Sequence, residues 1–397
     1  MLVSRRTQQI QPSQTLEITA LVDSLRRAGK DIVDLGAGEP DFDTPNVIKE
    51  AAIQAINEGF TKYTPSSGTL ELKQAICDKL RISNDLHYTP SEIVVTCGAK
   101  HAIMNTMLAL CQEGDEVIIP APYWTSYLEQ VTFVDATPVI LNTDEKTDFK
   151  LLPEQLERAI NSHTKLLILN SPCNPTGAVY TPSELSGLAE VIRHSKMYVI
   201  SDEIYEKLIY DGSQHVSLAS FPELKEQVIV VNGLSKAFAM TGWRIGYLAA
   251  DVEIVKAVSK IQSHTTSNPC SISQKASVAA LKLESKIVQE MVTAFDRRRT
   301  FLVGQLNEVP KIHCTLPKGA FYVFPNISEY LGRQYKDKTI QNSMQFCSLL
   351  LEEEGVALVP GEAFGSNNHV RISYATSLSN LQEALLRIRR ALRKLEA

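Results

Sequence analysis

The chain has 397 residues, of which 44% are hydrophobic and 21% charged, and its formal net charge is −5. That length allows two domains, or one large domain with an appendage, and the composition is that of an ordinary globular protein. It speaks against a nucleic-acid partner, because the basic residues are scattered and pairs such as Arg5-Arg6 and Arg26-Arg27 read as solvated helix faces rather than a stripe.

The start, MLVSRRTQQIQPS, lacks the apolar core of a secretory signal. No stretch reaches the roughly 18 apolar residues a membrane span needs. The seven cysteines form no CxxC pair, and no His/Cys cluster has zinc spacing. An odd number of cysteines without a secretory signal points to reduced thiols in a cytoplasmic protein, and no metal is expected.

Along the chain, strand-like and helix-like runs alternate. Glu92–Thr96 is a short buried strand. His101–Cys111 is a helix, with Ile103, Met107 and Leu110 at i, i+4 and i+7. Glu116–Ile119, Leu166–Leu169, Tyr198–Ile200 and Val228–Val231 are further short apolar strands. Pro182–His194 is a helix opened by a Thr181 cap with Pro in the first helical position. This alternation predicts an α/β fold with a mostly parallel sheet covered on both faces. The last third differs. Ser273–Leu306 reads as one long helix, Tyr322–Phe324 and Val370–Ser373 as short strands, and an amphipathic helix starts at Leu378. The expected division is a large domain over residues 46–285 and a smaller α+β domain made of residues 1–45 and 286–397.

Ligands of open α/β sheets bind at the carboxyl ends of the strands, and the chemically informative residues follow the predicted strands in order. Gly98-Ala99-Lys100 lies between a strand and a helix, where small residues let backbone N–H groups approach an anion; taken alone, it is more often a tight turn. Trp124 can stack on a flat ring or simply fill the core. Asn170–Gly177 holds two X-Pro steps and a terminal glycine, a rigid loop in which Asn174 can donate to a ring oxygen. Asp202 ends an apolar run, so its carboxylate needs a partner such as a protonated pyridine nitrogen, or it caps a helix. Ser235-Lys236 follows the last apolar strand. A desolvated Lys236 amine forms imines with aldehydes, and Arg244 offers a planar fork for phosphate. A lone lysine is more often a surface residue, but one ligand needs all five features together. That ligand is an aromatic aldehyde bearing a phosphate and a pyridine nitrogen, pyridoxal 5′-phosphate.

These residues lie in segments that resemble a class I aminotransferase of the fold-type I pyridoxal-phosphate superfamily. The resemblance is strongest to the bacterial-type aspartate aminotransferase subgroup, which also includes aspartate/prephenate aminotransferases. It spans nearly the whole chain through SRRTQQIQPS (4–13), LGAGEPDFDTP (35–45), KYTPSSG (62–68), NSPCNPTGAVY (170–180), SDEIYE (201–206), SKAFAMTGWRIGY (235–247), KGAFYVF (318–324) and HVRISYA (369–375). The resemblance implies a seven-stranded large-domain sheet and a homodimer with shared sites. It implies that Lys236 carries the cofactor as a Schiff base and then moves the substrate proton. Asp202 is implied as the partner of the pyridine nitrogen, and Tyr205 with Asn174 as donors to the phenolic oxygen. Trp124 is implied to stack on the ring. The backbone of Gly98, Ala99 and Lys100, with Ser235 and Arg244, is implied to hold the phosphate, joined by Tyr63 from the neighbouring subunit. Arg371, beside the Gly38 backbone, is implied to grip the substrate α-carboxylate, with Trp124 and Asn174 also bordering the substrate. Lys100 is implied to attract a second carboxylate.

Two departures matter. Gln11 stands where relatives accepting prephenate carry Lys, and Gly233 stands where more distant aspartate aminotransferases have a phosphate-binding Ser. The expected reaction is amino transfer from L-aspartate to 2-oxoglutarate. The alternatives are a prephenate or aromatic aminotransferase, or a β-lyase using the same cofactor.

Overall fold

A computed structural model of the chain describes residues 3–336 and 338–395. Residues 1, 2, 396 and 397, the outer limits of the expected small domain, and residue 337 lie outside that description. Seven strands form the main sheet: β1 (Ile93–Thr96), β2 (Glu116–Ala121), β3 (Thr137–Asn142), β4 (Thr164–Asn170), β5 (Tyr198–Asp202), β6 (Val228–Gly233) and β7 (Gly246–Ala249). Their order is β1-β7-β6-β5-β4-β2-β3. All neighbouring pairs are parallel except the two made by β7, which runs antiparallel to β1 and β6.

Consecutive side chains of the central strands are buried on opposite faces. Leu167, Leu169, Val199, Val228 and Val230 join one apolar cluster, while Leu166, Ile168, Ile200, Ile229 and Val231 join the other. A sheet buried on both faces needs apolar residues at every position, which is why these strands read as unbroken hydrophobic runs. Thr181 caps the helix Pro182–Arg193 as expected, and Glu184 adds the reciprocal bond by accepting from the Thr181 N–H at 2.7 Å.

Two strands of the main sheet were not anticipated. β3 has partly exposed, mixed residues because it is the sheet edge. β7 is short and sits just after a glycine-containing turn. The single long helix expected over Ser273–Leu306 is in fact two, Ser271–Leu281 and Ser285–Asn307. The chain turns at Lys282–Glu284, a break marked by neither Gly nor Pro.

The C-terminal part builds its own three-stranded antiparallel sheet from β8 (Tyr322–Val323), β9 (Val359–Pro360) and β10 (Val370–Ser373), ordered β9-β10-β8. Val33–Asp34 pairs in parallel with Val356–Ala357, tying the N-terminal segment to this part. A third apolar cluster around Phe295, Phe321, Tyr322, Phe346 and Leu385 forms its core. Among the described residues, no helix is long and apolar enough to cross a membrane, and all seven cysteines are free.

Candidate active site

Register brings the site together. Asn170 on β4 lies beside Asp202 on β5, and Asp202 beside Val231 on β6, so the ends of three adjacent strands open into one cleft. Arg244 precedes its strand, yet it reaches the same edge because β7 runs the other way. The cleft has a volume of about 410 Å³, within the range of small-molecule sites. Gly38, Ala99, Lys100, Trp124, Asn174, Asp202, Tyr205, Ser235, Lys236, Arg244 and Arg371 all line it.

Gly98 ends the turn at the N-terminus of helix Ala99–Leu110, with φ +88°. A Cβ there would stand 2.4 Å from Arg244 Nη2, so only glycine lets the guanidinium lie against this helix end. First-turn amides such as those of Ala99 and Lys100 have no intrahelical acceptor. Gly233 has a different reason. A Cβ would meet the Ile245 carbonyl oxygen at 3.0 Å and Ile204 Cδ1 at 3.1 Å, so a side chain at that position would need its neighbours to give way by a few tenths of an ångström.

Lys236 Nζ donates to the Gly38 carbonyl. Its amine is partly open to the cleft, but desolvation, helped by the nearby Arg371 and Arg244 charges, lowers its pKa to about 8. Asp202 is 3% exposed. Burial raises its pKa to about 6 against two donors, the Tyr127 hydroxyl at 2.6 Å and the Ile204 N–H at 3.2 Å. Tyr205 and Tyr322 share a hydroxyl–hydroxyl bond of 2.9 Å.

Arg371, 2% exposed, donates from Nη1 to Asn174 Oδ1 at 3.0 Å and from Nη2 to the Gly36 carbonyl at 2.7 Å, over the Tyr322 ring. Its Nε has no partner. Because Asn174 Oδ1 accepts from Arg371, its amide NH₂ is left to donate elsewhere. Lys100 sits 5.0 Å from the Trp124 ring centroid, and burial and Arg244 lower its pKa. Neither Arg371 nor Lys100 has a carboxylate partner among the described residues.

The full-length similarity of this chain to known proteins matches the geometry. The family model of aminotransferases, class I and II, covers residues 30–388. This chain belongs to that family. It is 48% identical over 396 residues to an aspartate aminotransferase of Bacillus subtilis, covering 99% of this chain and 100% of that relative. It is 49% identical to a bifunctional aspartate aminotransferase and glutamate/aspartate-prephenate aminotransferase of Petunia hybrida, covering 98% of this chain and 82% of the relative. The crystal structure of the aspartate aminotransferase from Rhizobium meliloti superposes with a TM-score of 0.96 at 45% identity, covering 100% of both chains. The fold is therefore fold-type I, and the family is a family of pyridoxal-phosphate enzymes. The residues present fit that cofactor. A glycine cradle lies under Arg244, a buried carboxylate faces only donors, and an amine with a depressed pKa lies in the same cleft.

Tyr63 lies away from its own chain's cleft and is 91% exposed, while Gly98 does not line the cleft itself but abuts Arg244, which does. Gln11 is also elsewhere. It lines a neighbouring cavity that touches the cleft through Lys100, and its N–H donates to Glu129 at 2.8 Å. Residues missed from sequence include Tyr127, Tyr322 and Gly36. Tyr127 had one available signal, its position three residues after Trp124 on the same turn.

Proposed function

We propose that this chain is an aspartate aminotransferase, moving the amino group of L-aspartate to 2-oxoglutarate to give oxaloacetate and L-glutamate in two alternating half-reactions. The observation that carries this reading is Arg371, a buried guanidinium with an unpartnered Nε beside Lys236. A cation held dry and rigid grips a carboxylate with two parallel bonds.

When bound, pyridoxal phosphate supplies an aldehyde that condenses with amines and a protonated ring that draws electrons from the substrate carbon. Lys236 Nζ would hold that aldehyde. As a free neutral amine, Nζ would take the substrate Cα proton and return it. Asp202 would accept from the ring nitrogen, and Tyr205 and Asn174 would donate to the phenolic oxygen. Trp124 would stack on the ring. The amides of Gly98, Ala99 and Lys100, with Ser235 and Arg244, would hold the phosphate, and without a hydroxyl at Gly233 this cup would lean on Ser235 and Arg244. The Gly38 backbone borders the α-carboxylate on Arg371. Lys100 meets the second carboxylate at the mouth of the cleft.

The exposed Tyr63 supports a homodimer in which each chain's Tyr63 completes the other's phosphate site. We read residues 46–285 as the large unit and residues 1–45 with 286–397 as the small one; the seven-stranded and three-stranded sheets, each falling in one unit, support this, while the small unit's apolar cluster also takes in Ile204, Tyr205, Leu208 and Tyr210. A cytoplasmic setting is consistent with the free thiols.

A second reading, prephenate as oxo-acid acceptor, is favoured by the name of the Petunia relative; Gln11 in place of a cation weighs against it. Loading the protein with cofactor and adding aspartate, glutamate, phenylalanine or prephenate separately tests both readings. A fast spectral change with aspartate and glutamate is expected. No change with either dicarboxylate overturns the proposal.

A further inference from the structure

Resting on that reading, we propose that Tyr127 is a positioning residue for the cofactor's ring nitrogen, acting through Asp202. Its hydroxyl donates to Asp202 Oδ2 at 2.6 Å, and the Ile204 N–H donates to Oδ1 at 3.2 Å. Both contacts are buried, and Tyr127 is 2% exposed. A carboxylate that already receives two donors is held in its ionised, acceptor-only form. Whatever it meets next must bring the proton. A pyridine nitrogen meeting Asp202 therefore keeps its proton, and the ring stays an electron sink.

The placement of Tyr127 is built into the fold. Helix Ser126–Phe133 starts one residue before it, and the Tyr127 N–H bonds the Trp124 carbonyl at 3.0 Å. The two rings then meet edge to face at 5.3 Å and 88°. One turn of chain thus sets both the residue proposed to stack on the ring and the donor behind Asp202. The other titratable groups around Asp202 are Glu203, Tyr205, Cys173 and Lys236. Glu203 pushes the Asp202 pKa up and Lys236 pulls it down; of these side chains, only Tyr127 is hydrogen-bonded to the carboxylate. Burial raises the Tyr127 phenol well above its usual range, so the hydroxyl stays protonated and keeps donating.

The test compares wild type with Tyr127→Phe. In the cofactor-free protein, the Asp202 carboxyl is titrated by carbon-13 NMR or difference infrared. Loss of a charge-assisted bond is expected to raise its proton affinity about tenfold or more. In the reconstituted enzyme, nitrogen-15 in the cofactor ring is expected to move toward the unprotonated signal. The kcat is expected to fall about tenfold or more while KM for aspartate changes less than about twofold. A merely structural hydroxyl leaves the carboxyl titration and the nitrogen-15 signal where they were, and an Asp202 proton affinity within about twofold of wild type overturns the proposal. Should Tyr127→Phe not fold, the wild-type Tyr127 hydroxyl proton is observed directly by NMR. It should resonate far downfield and lose that shift in Asp202→Asn, and an unchanged resonance overturns the proposal equally. The cofactor-free titration fails only with the Tyr127 role, whereas failure of the wild type to bind cofactor sinks the reading of the site itself.

Discussion

Residues 201–206 carry two buried carboxylate settings back to back. Asp202 and Tyr205 face the cleft. Glu203 and Glu206 face the other way, into a network with Lys79, Asn84, Ser201, His215 and Ser217. There Lys79 pairs with Glu206, and Glu203 accepts from Ser201 at 2.8 Å and Ser217 at 2.6 Å. The Glu206 pKa falls to about 2 and that of Lys79 rises, as partnered charges do, despite full burial. In the cleft the directions reverse, with Asp202 up to about 6 and Lys236 down to about 8. Glu203, Glu206 and His215 place three possible metal-ligand atoms within 4.8 Å of one another. The Lys79 ammonium on Glu206 and the hydroxyls on Glu203 already meet those carboxylates' needs. Burial alone therefore does not mark the site. Charges with open valences do.

Two substitutions should separate the settings most sharply. Lys236→Ala is expected to slow the aspartate half-reaction about 10³- to 10⁴-fold, read by single-turnover absorbance, without lowering the unfolding midpoint of the cofactor-free protein. Glu206→Ala is expected to do the opposite. Stripping one partner from a buried ion pair costs about 3–5 kcal/mol of stability, measured by denaturant unfolding, while kcat of the folded fraction stays within about threefold because Glu206 does not line the cleft. A variant at either position that damages both properties equally would erase the distinction.

A smaller effect tests where the cleft's charge meets substrate. Lys100→Met is expected to raise KM for aspartate about tenfold to a hundredfold, the worth of one hydrogen bond to a charged group. KM for phenylalanine should move less than about twofold. Equal shifts for both substrates would remove Lys100 from dicarboxylate recognition and leave it as support for Trp124.

Much of this contrast was legible in sequence on the cleft side and little of it on the network side. The central strands announced themselves because burial on both faces demands continuous apolar runs, and the site residues followed because parallel strands deliver their carboxyl ends to one edge. Strand β7 escaped because an antiparallel strand breaks the alternation of strand and helix, and Arg244 was nevertheless found through the motif around it. Tyr127 escaped because a tyrosine on a helix face is ordinarily core. Lys79, Glu206 and His215 escaped for a deeper reason: a buried ion pair between distant segments leaves no local pattern, and nothing in the spacing of these residues tells a paired charge from a solvated one. Tyr63 was read from resemblance alone, and in this chain it is 91% exposed.

The smallest expected effect is the pH dependence of stability: stability should rise with pH in both settings, but the ionised group stabilises the fold at Glu206 and costs stability at Lys236. The folded-state pKa of Glu206 lies below its ordinary value, so its contribution is present at neutral pH and is lost as pH falls toward about 2. The Lys236 pKa is also lowered, but for a base this means that the protonated form is the one the fold disfavours. Below about pH 8 the folded protein holds that ammonium at a cost. Between there and the ordinary lysine value of about 10.4, the unfolded chain binds more protons, so stability rises with pH. In cofactor-free protein, the unfolding midpoint of Lys236→Met should therefore lie above wild type at pH 7, and the gap should close as pH approaches about 10. The gap between wild type and Glu206→Gln should run the other way, with the variant below wild type at pH 7 and the difference vanishing in acid. If Lys236→Met instead lowers the midpoint at pH 7, the lysine is a paired charge like Lys79, and the cleft loses the open valence that sets it apart from the network behind it.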